Sequence, residues 1–570
     1  MSRALSSPSA STAVVWYRST DLRTIDHAPL LSAHTNHAKV LHIFCAGDEF
    51  ETSVDAGFAF GTRMSRPTEL NVPKIGKHRR RFLSECISNL DMNLREKGSK
   101  LYTKKGNPET ILPRVIQNIR ETSDGDVRNA VHVYFHEGES VEETNRQTKV
   151  IKALQECACV VHPYFGNTLI HRDDLPFDLL RSLPSTFSAF RRQVESKRKE
   201  GGAGKRTVHM RKASTIAGIS ERGPASLVRK ALPEPKMKPQ PAFAAEDFED
   251  AVSPFLVPSH DMGDTIFRGG QDEALKRIQH YSFGTDAIAT YKKTRNGMIG
   301  SDYSSKLSPW LAHGCITAVQ IYEAVERYER ERVGNESTYW LVFELLWRDY
   351  LRFYALRWGS HIFHLYGPKK VVQGRTDKSK SWGRSKQLFD KWALGKTGVP
   401  IVDASMRELL ATGFQSNRGR QIVASFLTRD MGLDWRMGAM WFESMLLDHD
   451  VCSNYGNWTY AAGVGSDPRE DRYFHPIKQA KTYDSDCKFI RHWLPEIPSD
   501  VPPRALWDPW SHDIASLAST ACSYPPPVVK MMARSTGWKN DGSSKRGKSK
   551  KRPARKERRA RPASGRVQHF

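Results

Sequence analysis

Residues 414–460 read FQSNRGRQIVASFLTRDMGLDWRMGAMWFESMLLDHDVCSNYGNWTY. Arg420, Asp448, Asp450 and Asn454 lie in or beside two apolar helical patterns, about 418–431 and 435–447. A buried charge without a partner costs several kcal/mol. These groups must therefore pair with one another, hold a polar ligand, or do both. Asn417 and Arg420 share a helical face by their i,i+3 spacing. Asp448 and Asp450 flank His449 where the second pattern ends, ahead of a polar turn and an aromatic cluster. An Arg–carboxylate pair can balance the changing charge of a redox-active ring. An amide such as Asn454 can both donate to and accept from the ring's edge.

Three other groupings could carry chemistry. In Tyr303–Leu311 the hydroxyls of Ser304, Ser305 and Ser308, with Lys306 and Leu307 between them, lead into Pro309. Ser308 suits an N-cap and Pro309 the first helical position. Such a start can bind phosphate, or it can simply be a capped helix. Glu344, Trp347 and Arg348 share one helical face. That face is either an amphipathic surface with an ion pair or the wall of a pocket where Trp347 stacks on a planar ligand. The chain also has 14 tryptophans, of which Trp382, Trp435 and Trp458 fall in or near helical patterns. For any one of them, core packing is a sufficient explanation.

The elements that must position these residues fall into two textures. Apolar runs at 13–17, 39–46, 100–104, 129–135 and 159–165 read as strands. Helical patterns at 76–97, 108–121 and 141–156 alternate with them. That alternation predicts a Rossmann-like α/β domain with a parallel sheet. No GxGxxG follows the first strand, so a dinucleotide on its first turn is not supported. From Gly270 to about Leu447 helical periodicity dominates, which predicts an all-α second domain. The expected division is a disordered N-terminus (1–12), an α/β domain (13–190), a basic connector (191–245), a helical domain (246–525) and a disordered basic tail (526–570).

Net charge is +24 over 570 residues, and it is localised. Residues 191–243 hold 14 Lys/Arg against four acids, and 545–566 hold 12 against one. Flexible basic segments attract polyanions with little sequence preference, or serve as targeting elements. The eight cysteines form no CxxC pair, and no Cys/His spacing suits zinc. Reduced thiols, an intracellular setting and no metal are expected. No apolar run approaches the ~20 residues of a membrane span. The first 20 residues contain Arg3 and Arg18 and no acid. They suit either an organelle transit peptide or a disordered end.

Taken together, YKKTRNGMIGSDYSSKLSPWLAHGC (291–315), TGFQSNRGRQIVASFL (412–427) and NYGNWTYAAGVGSDPREDRYF (454–474) resemble the photolyase/cryptochrome family, in particular its DASH branch. VVWYRSTDLR (14–23) is similar to the family's first strand and turn. The resemblance implies an α/β antenna domain joined to a helical FAD domain. Tyr291 and Ser304, Ser305, Lys306, Leu307 and Ser308 would hold the FAD phosphates. Arg348 and Asn417 would line the cofactor pocket, with Asn417 also reaching the lesion. Arg420 and Asp448 would pair beside the flavin, Asp450 would bond its polar edge, and Asn454 would face N5. Glu344 and Trp347 would contact a pyrimidine dimer, while Arg295 and Gln479 match DNA-contact positions. Trp458, Trp435 and Trp382 would carry an electron from the surface to the flavin. Glu143, or Glu142 one residue earlier, would bind the pterin of 5,10-methenyltetrahydrofolate.

The implied activity is deoxyribodipyrimidine photolyase-type repair: light-driven splitting of cyclobutane pyrimidine dimers by an electron from reduced FAD. The alternative is a blue-light photoreceptor that signals through FAD photoreduction. Tyr460 and Gln421 depart from ordinary dimer photolyases, which carry a second stacking Trp and a Met there. A stacked aromatic is worth ~1–3 kcal/mol per base, and extraction from duplex costs a few kcal/mol. The weaker stack shifts the expected substrate toward single-stranded DNA. A monomer is expected, placed in the nucleus or alternatively in a mitochondrion or plastid, with a basic tail able to contact DNA or RNA.

Overall fold

The computed structural model describes residues 9–47, 72–122, 130–195, 228–241, 267–368, 381–466, 472–509, 511–512 and 524–530. Five strands form one parallel sheet: β1 (Ser9–Tyr17), β2 (His37–Ala46), β3 (Leu101–Lys105), β4 (His132–His136) and β5 (Val160–Tyr164), in the order β3-β2-β1-β4-β5. The apolar runs become strands because both faces of the sheet are covered. Helices Pro108–Thr122 and Val141–Glu156 pack through Ile111, Val115, Ile119, Val150 and Leu154 on Val14, Trp16, Leu41, Ile43 and Val133. The predicted parallel α/β layer is present, as is a second, helical part.

The differences have local causes. Strand β1 begins at Ser9, inside the stretch expected to be disordered, because backbone pairing (Ser9 with His37, Thr12 with Lys39) does not require apolar side chains. A helix at Ala28–Asn36 has no amphipathic signature, since Ser32 and His34 are buried beside Leu30 and Ala33. Its start is marked by His27, whose Nδ1 accepts from Leu30 N–H at 3.0 Å. Part of the expected connector, 228–241, is docked: Asp26 Oδ1 accepts from Leu232 N–H, and Pro239 carbonyl accepts from Val40 N–H. Residues 526–530, expected to open the tail, are likewise seated. Tyr524 donates to Asp403 Oδ2 at 2.6 Å and Val528 N–H to Thr397 carbonyl at 2.9 Å. Residues 191–195, also expected in the connector, instead complete the helix Phe187–Glu195, and the remainder of the expected N-terminus, connector and basic tail lies outside the described residues.

The two parts interlock through backbone groups. Asp349, buried on the 23-residue helix Glu336–Trp358, accepts from Leu169 N–H at 3.0 Å and Ile170 N–H at 2.8 Å. Arg23 donates to Gly314 carbonyl at 3.0 Å. Gly314 sits at φ +63°, and a Cβ there would lie 1.9 Å from Thr20 carbonyl oxygen, so only glycine permits the approach. Among the described residues no helix is long and apolar enough to cross a membrane.

Candidate active site

Three helices frame the charged cluster: Asn417–Ser425 carries Arg420, Val451–Ala461 carries Asn454, and Asp448 and Asp450 lie between Trp435–Met445 and Val451–Ala461. Ser416 caps the first, its Oγ accepting from Gly419 N–H at 3.0 Å. From that helix Arg420 Nη2 reaches Asp448 Oδ1 at 3.1 Å and Oδ2 at 2.8 Å, while its Nε donates to Gln415 carbonyl. Ser308 Oγ donates to Asp448 Oδ2 at 2.5 Å across 140 positions of sequence. Ser308, Arg420 and Asp448 thus form one node, centred on a buried carboxylate.

Val451–Ala461 is a helix where the sequence suggested a turn followed by aromatics. Its buried side holds Asn454 and Thr459 among Cys452, Tyr455 and Trp458, which hides the apolar period. Asp450 caps it, Oδ1 accepting from Ser453 N–H at 2.8 Å. One turn in, Asn454 Nδ2 donates to Ala439 carbonyl at 2.9 Å. Trp458 is one turn further and packs edge-on against Phe442 at 5.2 Å and Trp392 at 6.2 Å. A Cβ on Gly438 would lie 2.1 Å from the Trp458 ring, so a glycine there lets the two helices close on the indole.

Ser308 is not the N-cap expected of it. The helix is Ser308–Ala312, Leu307 precedes it, and the Ser308 hydroxyl serves Asp448 instead. A five-residue helix also has little dipole to offer a phosphate. The hydroxyl-rich segment is held from outside: Arg277 donates to the carbonyls of Ser301, Ser304 and Ser305, and Lys306 Nζ to Gly300 carbonyl at 2.8 Å. Lys306 is buried at φ +52° and lies 4.6 Å from the Tyr303 ring. Burial, only partly offset by Glu408, brings the Lys306 ammonium down to about 8, and burial pushes Glu408 up to about 8. Around this segment the hydroxyls of Tyr281 and Tyr303 and the Oε1 of Gln415 are buried with no hydrogen-bond partner among the described residues. Buried polar groups in folded chains are nearly always paired.

On the long helix, Glu344 forms an ion pair with Arg295 at 2.8 Å. Burial raises the Glu344 carboxyl, with Arg295 opposing. Trp347 meets the Tyr460 ring edge-on at 5.6 Å and 89°, with Phe187 at 4.5 Å on another side. Arg472 donates to Tyr460 Oη at 2.8 Å. Gln479 Oε1 accepts from Arg418 at 3.2 Å. Arg418 also reaches Asn296 at 2.8 Å and lies 4.2 Å over Tyr483. Asn417 is exposed at its helix start and Gln421 half-buried one turn on. Tyr291 is buried beside Tyr281 and near the Glu344–Arg295 pair.

Other expected residues make their direct contacts outside the Ser308–Arg420–Asp448 node. Arg348 spends its guanidinium on one carbonyl of each part, Asn167 (2.7 Å) in the α/β part and Leu311 (3.4 Å) in the helical part. Burial beside Arg352 brings it down to about 10. Trp435 is fully buried, its Nε1 donating to Leu365 carbonyl and its ring meeting Tyr455 at 6.3 Å. Trp382 is half-buried beside an undescribed stretch. Sequence reasoning missed Arg352 and Arg418. Arg418 lies between Asn417 and Arg420 in one motif and could have been weighed with them. Nothing local distinguishes Arg352 from a surface arginine.

A cavity of about 180 Å³ lies between the C-terminal ends of β1 and β2 and the helical part. Both candidate antenna acids line it, with Lys74, Glu443, His449 and Asp450. Glu143 Oε2 accepts from the Glu139 and Ser140 N–H groups in a capping box, whereas Glu142 pairs with Lys74. Burial pushes the Glu443 carboxyl up to about 7. The ring nitrogens of His449 have no hydrogen-bond partner among the described residues.

Comparison with known proteins gives one consistent result. Residues 13–208 match a family described as DNA photolyase, and 340–541 match the FAD binding domain of DNA photolyase. The chain is 41% identical to cryptochrome DASH of Xenopus laevis, covering 89% of this chain and 88% of that protein. It is 40% identical to a chloroplastic/mitochondrial cryptochrome DASH of Arabidopsis thaliana, covering 85% and 75%. The crystal structure of a Synechocystis cryptochrome superposes with a TM-score of 0.76 at 36% identity, covering 91% of this chain and 96% of that one.

Proposed function

Because the chain belongs to the photolyase/cryptochrome family and to its cryptochrome DASH branch, we propose that it repairs cyclobutane pyrimidine dimers under light. Its preferred substrate is single-stranded DNA, its cofactor FAD, and its antenna 5,10-methenyltetrahydrofolate. The residues present fit FAD. The hydroxyls of Tyr281 and Tyr303 and the Gln415 amide oxygen, without hydrogen-bond partners among the described residues, lie around Lys306 and the Ser304–Ser308 segment. That segment would hold the phosphates, with Tyr291 behind it. Arg420 with Asp448, Asp450 and Asn454 would face the ring, and Arg348 and Asn417 would complete the pocket. When bound, FAD supplies the light-driven electron chemistry.

The observation that carries the repair reading is the corner formed by Glu344, Trp347 and Tyr460. Trp347 offers a flat ring to a base. Glu344, paired with Arg295, offers a carboxylate oxygen to an N–H donor of the lesion. Arg295, paired with Glu344, and Gln479 and Gln421 would be further DNA contacts. Tyr460 is smaller than Trp, and Arg472 holds its hydroxyl, so it stacks less on a base. That supports a substrate whose bases are already unstacked. In the interdomain cavity, acids suit the hydrogen-bond donors of an amino-pterin, and Glu143 or Glu142 would take that role.

The test is blue-light irradiation of the purified, reduced protein with dimer-containing oligonucleotides, single-stranded and duplex. Light-dependent loss of dimer, faster on the single strand, is expected. No product on either substrate would overturn repair and leave a signalling photoreceptor. We place the protein in the nucleus on the strength of its two basic segments, and fractionation into plastid or mitochondrion would overturn that.

A further inference from the structure

We propose that Arg352 is a positioning residue for the cofactor site, holding the Asp450 carboxylate ionised and in place. Through the helix that Asp450 caps, it also sets Asn454 and Trp458. This rests on the FAD reading above, but its own evidence is geometric. Arg352 is 3% exposed and lies one turn beyond Arg348 on the long helix. Its Nη1 donates to Glu139 Oε2 at 2.5 Å, and its Nη2 donates to Asp450 Oδ2. Asp450's other oxygen caps Val451–Ala461 through Ser453 N–H. One guanidinium thus bridges the loop ahead of Val141–Glu156 and the start of the helix that bears Asn454. A planar guanidinium meets two carboxylates with separate nitrogens at a fixed spacing, which a single ammonium nitrogen does not reproduce.

Two buried acids share this one cation, and their environments separate them. Burial pushes Glu139 up to about 7 despite Arg352, and its Oε1 has no hydrogen-bond partner among the described residues. Burial also pushes Asp450 up, but Arg352 and Arg348 outweigh it and the carboxyl ends below its ordinary value. The charged or titratable groups facing the pair are Arg348, Glu139, Glu143 and Cys452. Glu139 therefore takes a proton first, and Asp450 stays an anion at the helix start, where charge and helix dipole agree.

FAD binding to the full-length protein, measured by flavin fluorescence from about pH 8 to about pH 6, tests this. Wild type should bind with a Kd that barely changes across the range. Arg352→Gln should raise Kd by about tenfold or more, and further as pH falls, because Asp450 then takes up a proton. Arg352→Lys should recover part of the affinity. Asp450→Asn should weaken binding without pH dependence, and Glu139→Gln should bind as wild type does.

A pH-flat, wild-type Kd in Arg352→Gln overturns the proposal. So does a loss in Glu139→Gln equal to that in Arg352→Gln, which would make the cluster only a latch between the two parts. If Arg352→Gln does not fold, Asp450→Asn decides, and wild-type affinity there overturns the proposal. A wild-type protein that binds no FAD would instead sink the cofactor reading itself.

Discussion

Arg420 and Asp448 are joined by one guanidinium nitrogen that reaches both carboxylate oxygens, at 3.1 and 2.8 Å. The carboxylate is 2% exposed and the guanidinium side chain 28%. The pair is thus buried on its acid side and open on its base side. A ligand arriving over Arg420 would meet a cation already neutralised from behind.

Arg420→Ala should therefore cost more than a surface ion pair. It takes the cation from Asp448 and leaves the Ser308 hydroxyl to hold that carboxylate. A buried group losing its partner costs ~1–3 kcal/mol. We expect a lower Tm and loss of FAD during purification, read by the ratio of flavin to protein absorbance. Asp448→Asn keeps the shape and should lose less.

Trp458→Phe should slow flavin photoreduction severely if Trp458 is the first electron donor to the ring. Fold and FAD content should change little, because a smaller ring sits opposite Gly438 without a clash. Bleaching of oxidised flavin under blue light with a thiol donor measures this. An unchanged rate removes Trp458 from the path.

Tyr460→Trp should shift substrate preference toward duplex. The added ring area is worth at most ~1–3 kcal/mol per base, comparable to the cost of extracting a dimer. The measurement is the duplex-to-single-strand ratio of repair rates, which should rise. The ratio will stay low if the Arg472 contact, rather than ring size, sets the preference.

Glu443→Gln should gain stability relative to wild type as pH rises. Glu443 is fully buried and its carboxyl is pushed from 4.5 to about 7, first by burial. A carboxyl raised on folding stabilises fully below its unfolded value and loses that contribution as pH rises through the folded value. Glu443's own contribution should therefore fall by roughly 3 kcal/mol between about pH 5 and pH 8, so the variant should gain on wild type across that range. Thermal unfolding across that range checks it, and an equal slope in the variant refutes the assignment.

Much of this protein is legible in its residues alone. Strand and helix periods are local, so the α/β and helical halves could be read directly, with edges a few residues off. Arg420, Asp448, Asp450 and Asn454 announced themselves because charge amid apolar periodicity requires a partner. The sequence could not say which partner, because pairing depends on separations that only the folded chain sets. Ser308 left its expected cap for Asp448, 140 positions away. Asp450 became the cap of a helix whose polar buried side concealed it. Arg352 carried no local sign of importance; it matters because the long helix brings it between Glu139 and Asp450, 213 and 98 positions distant. Residue types and local periods are written in the chain, but the low-dielectric sites that make a charge consequential exist only once distant segments close around it.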